Sequence, residues 1–399
     1  MTTKNLNCLA LAATLVLQTV AGSLQAATVV ESSGQPPRGW FSGFRDPDDG
    51  WLDVSSFLDK PFGFFPMVSP ITEPAVGAGA ALVPVFIDNP PGGKGKPNIW
   101  ALGAMRTSNG SQGLFGGYSG YTMDQRLHLL AGALQMSVNL DFNGLGKDVQ
   151  FDGEPMRYNL DMVGGLVGAD WKLGASGWSI GMRYLYAQVS ASFVRPEDRA
   201  QVSGREFTSR FGDPGLDSTI SALQPTLFFD TRDNIFTPTK GSYSELSLLA
   251  NGQAIGGSSD FQIAKWTTLW YHPLVANKWF LGLRGELAQS FGDVPFYGRP
   301  SVQLRGAPAM SVQGEGAAVA EAELRWQFHP RWSLVGFGGA GFTWAGEDPF
   351  RRTASTFTGG GGVRYLIARR YGLHMGLDVA WGEAGAAFYI QFGSAWMRP

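Results

Sequence analysis

Charge, cysteine and long apolar runs are scarce in this 399-residue sequence. Charged residues make up 16% of the chain, against roughly 25% in an ordinary soluble protein. The formal net charge is −2, which leaves no basic footprint for nucleic acid, so we predict no nucleic-acid partner. The only cysteine is Cys8, so a mature chain that begins beyond it can form neither a disulfide nor a cysteine-metal site.

The one long apolar run extends from Cys8 to Val20. Lys4 precedes this run and small residues at Ala26 and Ala27 follow it, a pattern that predicts a signal peptide over residues 1–26. Beyond Val20 no run of about 18 apolar residues occurs, so the sequence predicts no membrane-spanning helix. An exported chain without disulfides is typical of the bacterial envelope.

Residues 27–61 are polar and rich in turn-forming residues, and we expect a short periplasmic lead-in there. Its acidic run, Asp46 to Gly50, resembles half of a calcium-binding loop. However, Pro47 interrupts the run and no bidentate glutamate follows at the required spacing. We therefore expect a solvated turn and no metal site.

Glycine and aromatic residues are abundant, with 55 glycines and 13% aromatic residues. This composition is typical of a turn-rich β protein. Segments with strand-like alternation recur from Gly63 to the C-terminus, and we count about sixteen, an even number as in bacterial outer-membrane barrels. The sequence therefore predicts an all-β fold, a transmembrane antiparallel β-barrel over residues 62–399 in the bacterial outer membrane, surrounded by its lipids.

The clearest alternation lies between Ala318 and His329. Ala320, Ala322 and Leu324 share one face, while Glu321 and Glu323 share the other, which is the period of a β-strand. One face suits lipid and the other suits water. A soluble antiparallel sheet would give the same alternation, so the number of strands and the absence of helical spans favour the barrel. Closing the sheet satisfies all backbone amides inside lipid.

The last strand is predicted to end in an aromatic residue, which the barrel assembly machinery reads during biogenesis. The residues assigned to this C-terminal strand are Phe388, Ile390, Phe392 and Trp396.

Three further motifs carry a resemblance to the BamA/TamA/FhaC superfamily, the bacterial surface antigen family. The segment Phe229 to Gly241 resembles the signature hairpin of this family, Leu304-Arg305-Gly306 resembles its loop-six motif, and Ala322 to Arg325 resembles the strand that follows. The hairpin residues that carry the match are Asp230, Arg232, Asp233, Asn234, Pro238 and Gly241.

The resemblance implies a barrel of 16 strands with loop six folded into the lumen. It also implies that Arg305 contacts Glu323, with Gly306 allowing the loop to turn. Gly339 stands where the family has an aspartate, so we expect Glu323 to act without an acidic helper. The alternative is an ordinary turn with a solvated Arg305. The lead-in is too short for a POTRA domain, so we expect a member without one.

No enzyme motif is evident, and we predict neither catalytic residues nor cofactors nor metals. The four histidines, His128, His272, His329 and His374, lie on different segments without metal-ligand spacing. The favoured function is insertion, assembly or remodelling of outer-membrane proteins or lipids, with client barrels or lipids as partners. A transport pore is the alternative. A lipid hydrolase that assembles serine and histidine across strands is the least favoured.

Overall fold

The computed structural model describes most of the chain from residue 44 onward. The described residues are 44–55, 63–71, 75–88, 98–142, 156–193, 217–346 and 352–397. The predicted signal peptide lies outside them and stays a prediction. Residues 44–55, the part described ahead of β1, hold no POTRA-like domain. The described part of the chain contains no α-helix with the length and hydrophobicity of a membrane span.

Sixteen β-strands follow one another in a single sheet, and each pairs antiparallel with the next. The strands are β1 (Gly63–Ile71), β2 (Gly79–Asp88), β3 (Asn98–Thr107), β4 (Gln112–Thr122), β5 (Leu127–Phe142), β6 (Met156–Lys172), β7 (Trp178–Phe193), β8 (Asp217–Asp230), β9 (Gly241–Asn251), β10 (Phe261–Val275), β11 (Trp279–Gly292), β12 (Gly316–His329), β13 (Trp332–Trp344), β14 (Arg352–Ala368), β15 (Leu373–Gly382) and β16 (Gly385–Phe392). Within the described ranges, short 3₁₀ helices occupy three of the connections between strands: Gln253–Ile255, Phe296–Gly298 and Arg369–Tyr371.

The sheet curls into a nearly closed barrel. β1 and β16 lie next to each other, but no paired register joins them in the described part of the chain. The predicted all-β barrel of about sixteen strands is therefore confirmed. Because successive strands alternate in direction, the connections β8–β9, β12–β13 and β14–β15 share the end of the barrel at which β1 begins. We call this the lower end.

The outward face of the barrel is apolar, as lipid contact requires. On β7, for example, Trp178, Ile180 and Met182 are exposed, whereas Leu185 and Val189 point inward and are buried. The same alternation holds on β12, where Ala320 and Ala322 are exposed and Glu321 is buried. The predicted faces of that strand are confirmed.

The inner face has two different halves. From β1 to β8 it is mainly apolar, which differs from the water-suited face expected from β12. Its buried members include Val83, Val85, Ile99, Met105, Met136, Leu160, Met162, Val189 and Ile220. This apolar half explains why β5 carries hydrophobic residues on both faces. From β9 to β15 the inner face carries charged residues.

Lys265 belongs to the charged half. Its Nζ lies 2.7 Å from a carboxylate oxygen of Glu286, so this lysine sits among apolar neighbours because it has an acidic partner across the strands. The register is regular there, and the irregularity falls between Pro273 and Val275.

The acidic run ahead of β1 packs against the lower end of the barrel. Arg331, in the β12–β13 connection, is 1% exposed and pairs with Asp46, with Asp49 at 2.6 Å and with Asp53 at 2.7 Å. The backbone N–H of Val54 donates to Ile367 O at 2.9 Å. Pro47, Asp48, Asp49 and Gly50 are exposed, as expected for a solvated turn, whereas Asp46 is buried against Arg331 together with Asp53.

Burial tends to raise the pKa of Asp53, but hydrogen bonds from Ser55 and Arg331 outweigh it and hold that pKa below its usual value. The side-chain hydrogen bond from Arg331 lowers the pKa of Asp49 as well. Both carboxylates are thus stabilised in their charged form by the contact.

Candidate functional site: the ion cluster inside the barrel

Residues 293–315 connect β11 to β12 and pack against the barrel instead of extending into solvent. Phe296 and Tyr297 are fully buried, and Tyr297 hydrogen-bonds Ser218 at the start of β8. Further along, Val302 and Leu304 pack with Val319 on the inner face of β12. We call these residues the β11–β12 connection.

Arg305 is the centre of this connection. It is 8% exposed. Its guanidinium lies 2.9 Å from Glu321, 2.7 Å from Glu323 and 2.9 Å from Asp378. It also stacks on the Phe337 ring, 3.5 Å from its centroid. One arginine thus ties the connection to three strands, β12, β13 and β15.

The contact between Arg305 and Glu323 that the resemblance implied is present, but Glu323 does not act alone. Glu321 and Asp378 are the more buried partners, with side chains 2% and 0% exposed against 15% for Glu323. The expectation that Glu323 has no acidic helper is therefore wrong. Gly339 lies opposite Glu321 on β13, and the additional aspartate comes from β15.

Alternation could have marked Asp378 as an inward residue, since His374 and Gly376 lie on the same face. It could not have indicated that β15 meets the β11–β12 connection, because that contact depends on how far the connection reaches across the barrel. Tyr389 on β16 was missed for the same reason. Its hydroxyl accepts a hydrogen bond from the Gly306 backbone N–H at 2.9 Å.

Gly306 is required by two features of the backbone. Its φ is +95°, a left-handed conformation that glycine adopts without strain. A Cβ atom at this position would lie 3.1 Å from Trp381 O and 3.2 Å from the Ala380 side chain. The turn after Arg305 therefore fits tightly against the inner face of β15.

Further ion pairs extend from this centre. Arg284 on β11 lies 3.3 Å from Glu321 and 3.1 Å from Glu286, and it donates to Gln303 O at 2.9 Å. Arg364 on β14 pairs with Asp378. We call Arg284, Arg305, Arg364, Glu286, Glu321, Glu323 and Asp378 the ion cluster.

Trp396 joins the cluster from the C-terminal end of the chain. β16 ends at Phe392, so the assignment of Trp396 to the last strand is wrong, whereas Phe388, Ile390 and Phe392 do lie on it. Residues 393–397 turn into the barrel. Trp396 is 6% exposed, and its indole Nε1 donates to Glu321 at 2.6 Å.

The signature hairpin forms the β8–β9 connection at the lower end. Arg232 pairs with Asp230 at 2.8 Å, and Asp233 accepts the backbone N–H of Thr239 at 2.9 Å. Asn234 accepts the Phe236 N–H at 2.7 Å and donates to Tyr371 O at 2.8 Å in the β14–β15 connection.

Pro238 is buried within this hairpin. Gly241 has φ of +96°, and a Cβ there would lie 2.2 Å from Thr231 O. The hairpin residues therefore form one structural unit that closes part of the lower end. None of them belongs to the ion cluster. No group of histidine, cysteine and carboxylate side chains with metal-binding geometry occurs among the described residues.

A family model described as the Omp85 superfamily domain matches residues 121–396. The chain belongs to the Omp85 superfamily. The match covers the ion cluster, the signature hairpin and the residues that follow β16, so the family resemblance inferred from the sequence is confirmed. A search of curated proteins returned no match.

Solved structures show the same fold at low sequence identity. BamA from Haemophilus ducreyi lacking POTRA domains 1–3 has a TM-score of 0.54 and 14% identity, over 82% of this chain and 69% of that one. CdiB from Escherichia coli has a TM-score of 0.54 and 11% identity, over 82% and 60%. CdiB from Acinetobacter baumannii has a TM-score of 0.50 and 10% identity, over 81% and 58%. This Omp85 chain thus spans less than two thirds of either CdiB chain.

Proposed function

We propose that this Omp85 barrel lies in the bacterial outer membrane and assists the insertion, assembly or remodelling of outer-membrane proteins or lipids. In this proposal the β11–β12 connection is folded back into the lumen, and the ion cluster holds it there as a lock. Arg305 carries the proposal, because its contacts with Glu321, Glu323 and Asp378 join the connection to strands on both sides of it.

The lock makes an internal contact that is costly to lose. Removing one member of a buried ion pair leaves an uncompensated charge and costs about 3–5 kcal/mol. An arginine also offers a planar fork of donors that lysine cannot copy. The lock is therefore a means of holding the connection against β12 and β15 while other parts of the barrel change.

The seam between β1 and β16 supports a role in insertion. Strands that lie side by side without a paired register have backbone donors and acceptors available at their edges. An unfolded client can add a strand to such an edge, with main-chain hydrogen bonds supplying the affinity. Outer-membrane lipids surround the seam, and client barrel proteins are the partners we propose.

A transport pore is the alternative function, and the charged half of the inner face is the observation behind it. Many of these charges are neutralised in pairs, as with Arg284 and Glu286. Trp396 also reaches across the lumen to Glu321. Such a lumen favours the insertion role over steady conduction.

Reconstitution into lipid vesicles distinguishes these functions. The vesicles receive an unfolded client barrel, whose folding is followed by its gel mobility without heating, and ion conductance is measured on the same preparation. Faster client folding with wild-type protein, diminished by Arg305→Ala and retained by the exposed control Arg106→Ala, supports the proposal. Steady conductance without faster client folding supports the pore. Fractionation away from the outer membrane contradicts both.

A further inference from the structure

A serine, a histidine and an aspartate form one hydrogen-bonded chain on the inner face near the lower end. Ser119 Oγ on β4 lies 2.8 Å from His128 Nε2 on β5. His128 Nδ1 lies 3.1 Å from Asp170 Oδ2 on β6. This is the order of contacts in a Ser-His-Asp hydrolase triad, which is recognised by geometry and not by sequence position. The ion cluster contains none of these residues.

The strand register brings the three residues together. His128 lies directly opposite Tyr121 on one side and Asp170 on the other. Ser119 is two residues from Tyr121 and so faces the same way. The Tyr121 ring stacks on His128 with centroids 4.4 Å apart and planes at 14°, which holds the imidazole in the plane that joins serine to aspartate.

The hydrogen bonds set the roles of the ring nitrogens. A carboxylate only accepts, so Nδ1 carries the proton and donates to Asp170. Nε2 then keeps its lone pair and accepts from the Ser119 hydroxyl, as a general base must. The His128 and Asp170 side chains are 14% and 12% exposed, so the site can be reached from the lumen. The Asp378 side chain, by contrast, is fully buried.

An apolar part of the inner face lies beside Ser119. Gly132 is opposite Gly117, and a Cβ atom on Gly132 would make ordinary contacts, 3.5 Å from Gly116 O and 3.9 Å from Leu166 Cγ. Leu130 and Phe115, both buried, line the same part of the inner face. An apolar wall next to a nucleophile suits the acyl part of an ester.

Arg183 on β7 supplies positive charge at this site. It lies opposite Gly168, which in turn lies opposite Leu130, and its Nη2 is 3.8 Å from Asp170. Its buried Nε has no hydrogen-bond partner in the described part of the chain. Its guanidinium lies on the far side of Asp170 from Ser119, 4.0 Å from Glu245 and 5.3 Å from the centroid of the Phe228 ring, so we assign Arg183 to holding the Asp170 carboxylate.

We propose that Ser119, His128 and Asp170 hydrolyse carboxylic esters of acyl chains that enter the lumen. Ser119 Oγ attacks the ester carbonyl carbon while His128 Nε2 takes the hydroxyl proton. The ester C–O bond breaks, the alcohol leaves with that proton, and an acyl-Ser119 remains. Water then attacks the acyl group, His128 takes a proton from it and returns it to Ser119, and the carboxylic acid is released.

The test uses the folded full-length barrel in detergent micelles, without any client protein, so its outcome does not depend on the insertion role. Hydrolysis of p-nitrophenyl esters with acyl chains of increasing length is measured, and a fluorophosphonate probe is mapped by mass spectrometry. Phospholipid vesicles form a separate arm, which distinguishes lipid esters from small soluble esters. Ser179→Ala is the matched control, since Ser179 is an inward serine at the same end of β7.

We expect the probe on Ser119, and a loss of at least about 100-fold in hydrolysis for Ser119→Ala and for His128→Ala, with Ser179→Ala unchanged. Gly132→Leu is expected to slow the longest ester at least about tenfold more than the shortest. Each variant is checked for folding by gel mobility without heating. If a variant fails to fold, probe labelling of wild-type Ser119 decides. An unlabelled Ser119, or hydrolysis that survives Ser119→Ala, overturns the proposal.

Discussion

The indole Nε1 of Trp396 donates a hydrogen bond to Glu321, the carboxylate that also contacts Arg305. A residue that follows the last strand is thereby joined to the β11–β12 connection through a shared carboxylate. A hydrogen bond to a charged group is worth about 1.5–3 kcal/mol. The C-terminal residues and the connection therefore stabilise each other.

Trp396→Phe should destabilise the folded barrel by about 1.5–3 kcal/mol, because phenylalanine keeps a ring beside Tyr271 but has no N–H for Glu321. The free energy of unfolding, from urea titration in lipid vesicles, measures the effect. Trp381→Phe is the control, since Trp381 is exposed on the outward face. Equal effects of the two substitutions would show that the indole hydrogen bond contributes nothing.

Two C-terminal deletions should behave differently. Removing residues 388–399 takes away most of β16, so an open edge would face lipid, and no heat-modifiable band should form on a gel. Removing residues 393–399 leaves β16 intact, so a folded but less stable barrel is expected. Normal assembly of the longer deletion would contradict the role of β16 in closing the sheet.

Gly306→Ala should lower stability by about 1–2 kcal/mol from the left-handed backbone alone, and by more because the new methyl group meets Trp381 O and Ala380. Gly346→Ala is a matched control: its φ is +70°, and a Cβ there meets nothing within 4 Å. The temperature at which each variant changes gel mobility measures the difference. If both substitutions lower it equally, the contact with β15 is unimportant.

The acidic segment ahead of β1 should detach at low pH. The hydrogen bond from Arg331 lowers the pKa of Asp49, and hydrogen bonds from Ser55 and Arg331 outweigh burial and lower the pKa of Asp53. Stability from such groups is therefore present above their unfolded pKa of about 3.9 and is lost as pH falls further toward the lowered values. Amide hydrogen exchange over residues 44–55, corrected for the intrinsic rate, should rise below about pH 4.

Arg331→Ala should give the high exchange rate over residues 44–55 at neutral pH as well. Arg126→Ala, in the β4–β5 connection, serves as the control and should behave as wild type. Protection that persists at pH 3 in wild-type protein would show that other contacts hold the segment.

The sequence predicts the barrel well and the site only in part. Alternation with a period of two marks both faces of β12, because the side chains on each face of a strand match the surroundings that this face contacts. It assigned Trp396 to a strand, since an aromatic residue near the C-terminus fits the outward pattern equally well. The pairing of Arg331 with Asp46 and Asp53 joins residues far apart in sequence, and local pattern carries no information about such contacts.

The triad illustrates the same limit. Ser119, His128 and Asp170 lie on three successive strands without a sequence motif, and only the strand register places them together. Conversely, the contact between Arg305 and Glu323 could be predicted from the sequence, because the family resemblance implied it and alternation placed Glu323 on the inner face. The more buried partners, Glu321 and Asp378, depended on the path of the β11–β12 connection.

The lock is tested most directly by a double-mutant cycle on Arg305→Ala and Glu323→Ala, read as free energies of unfolding from urea titration in lipid vesicles. Arg305→Ala should cost about 3–5 kcal/mol, and Glu323→Ala less, because Glu321 and Asp378 still hold the arginine. The double variant should lose at least about 0.5 kcal/mol less than the sum of the single losses. Losses that simply add would contradict the lock.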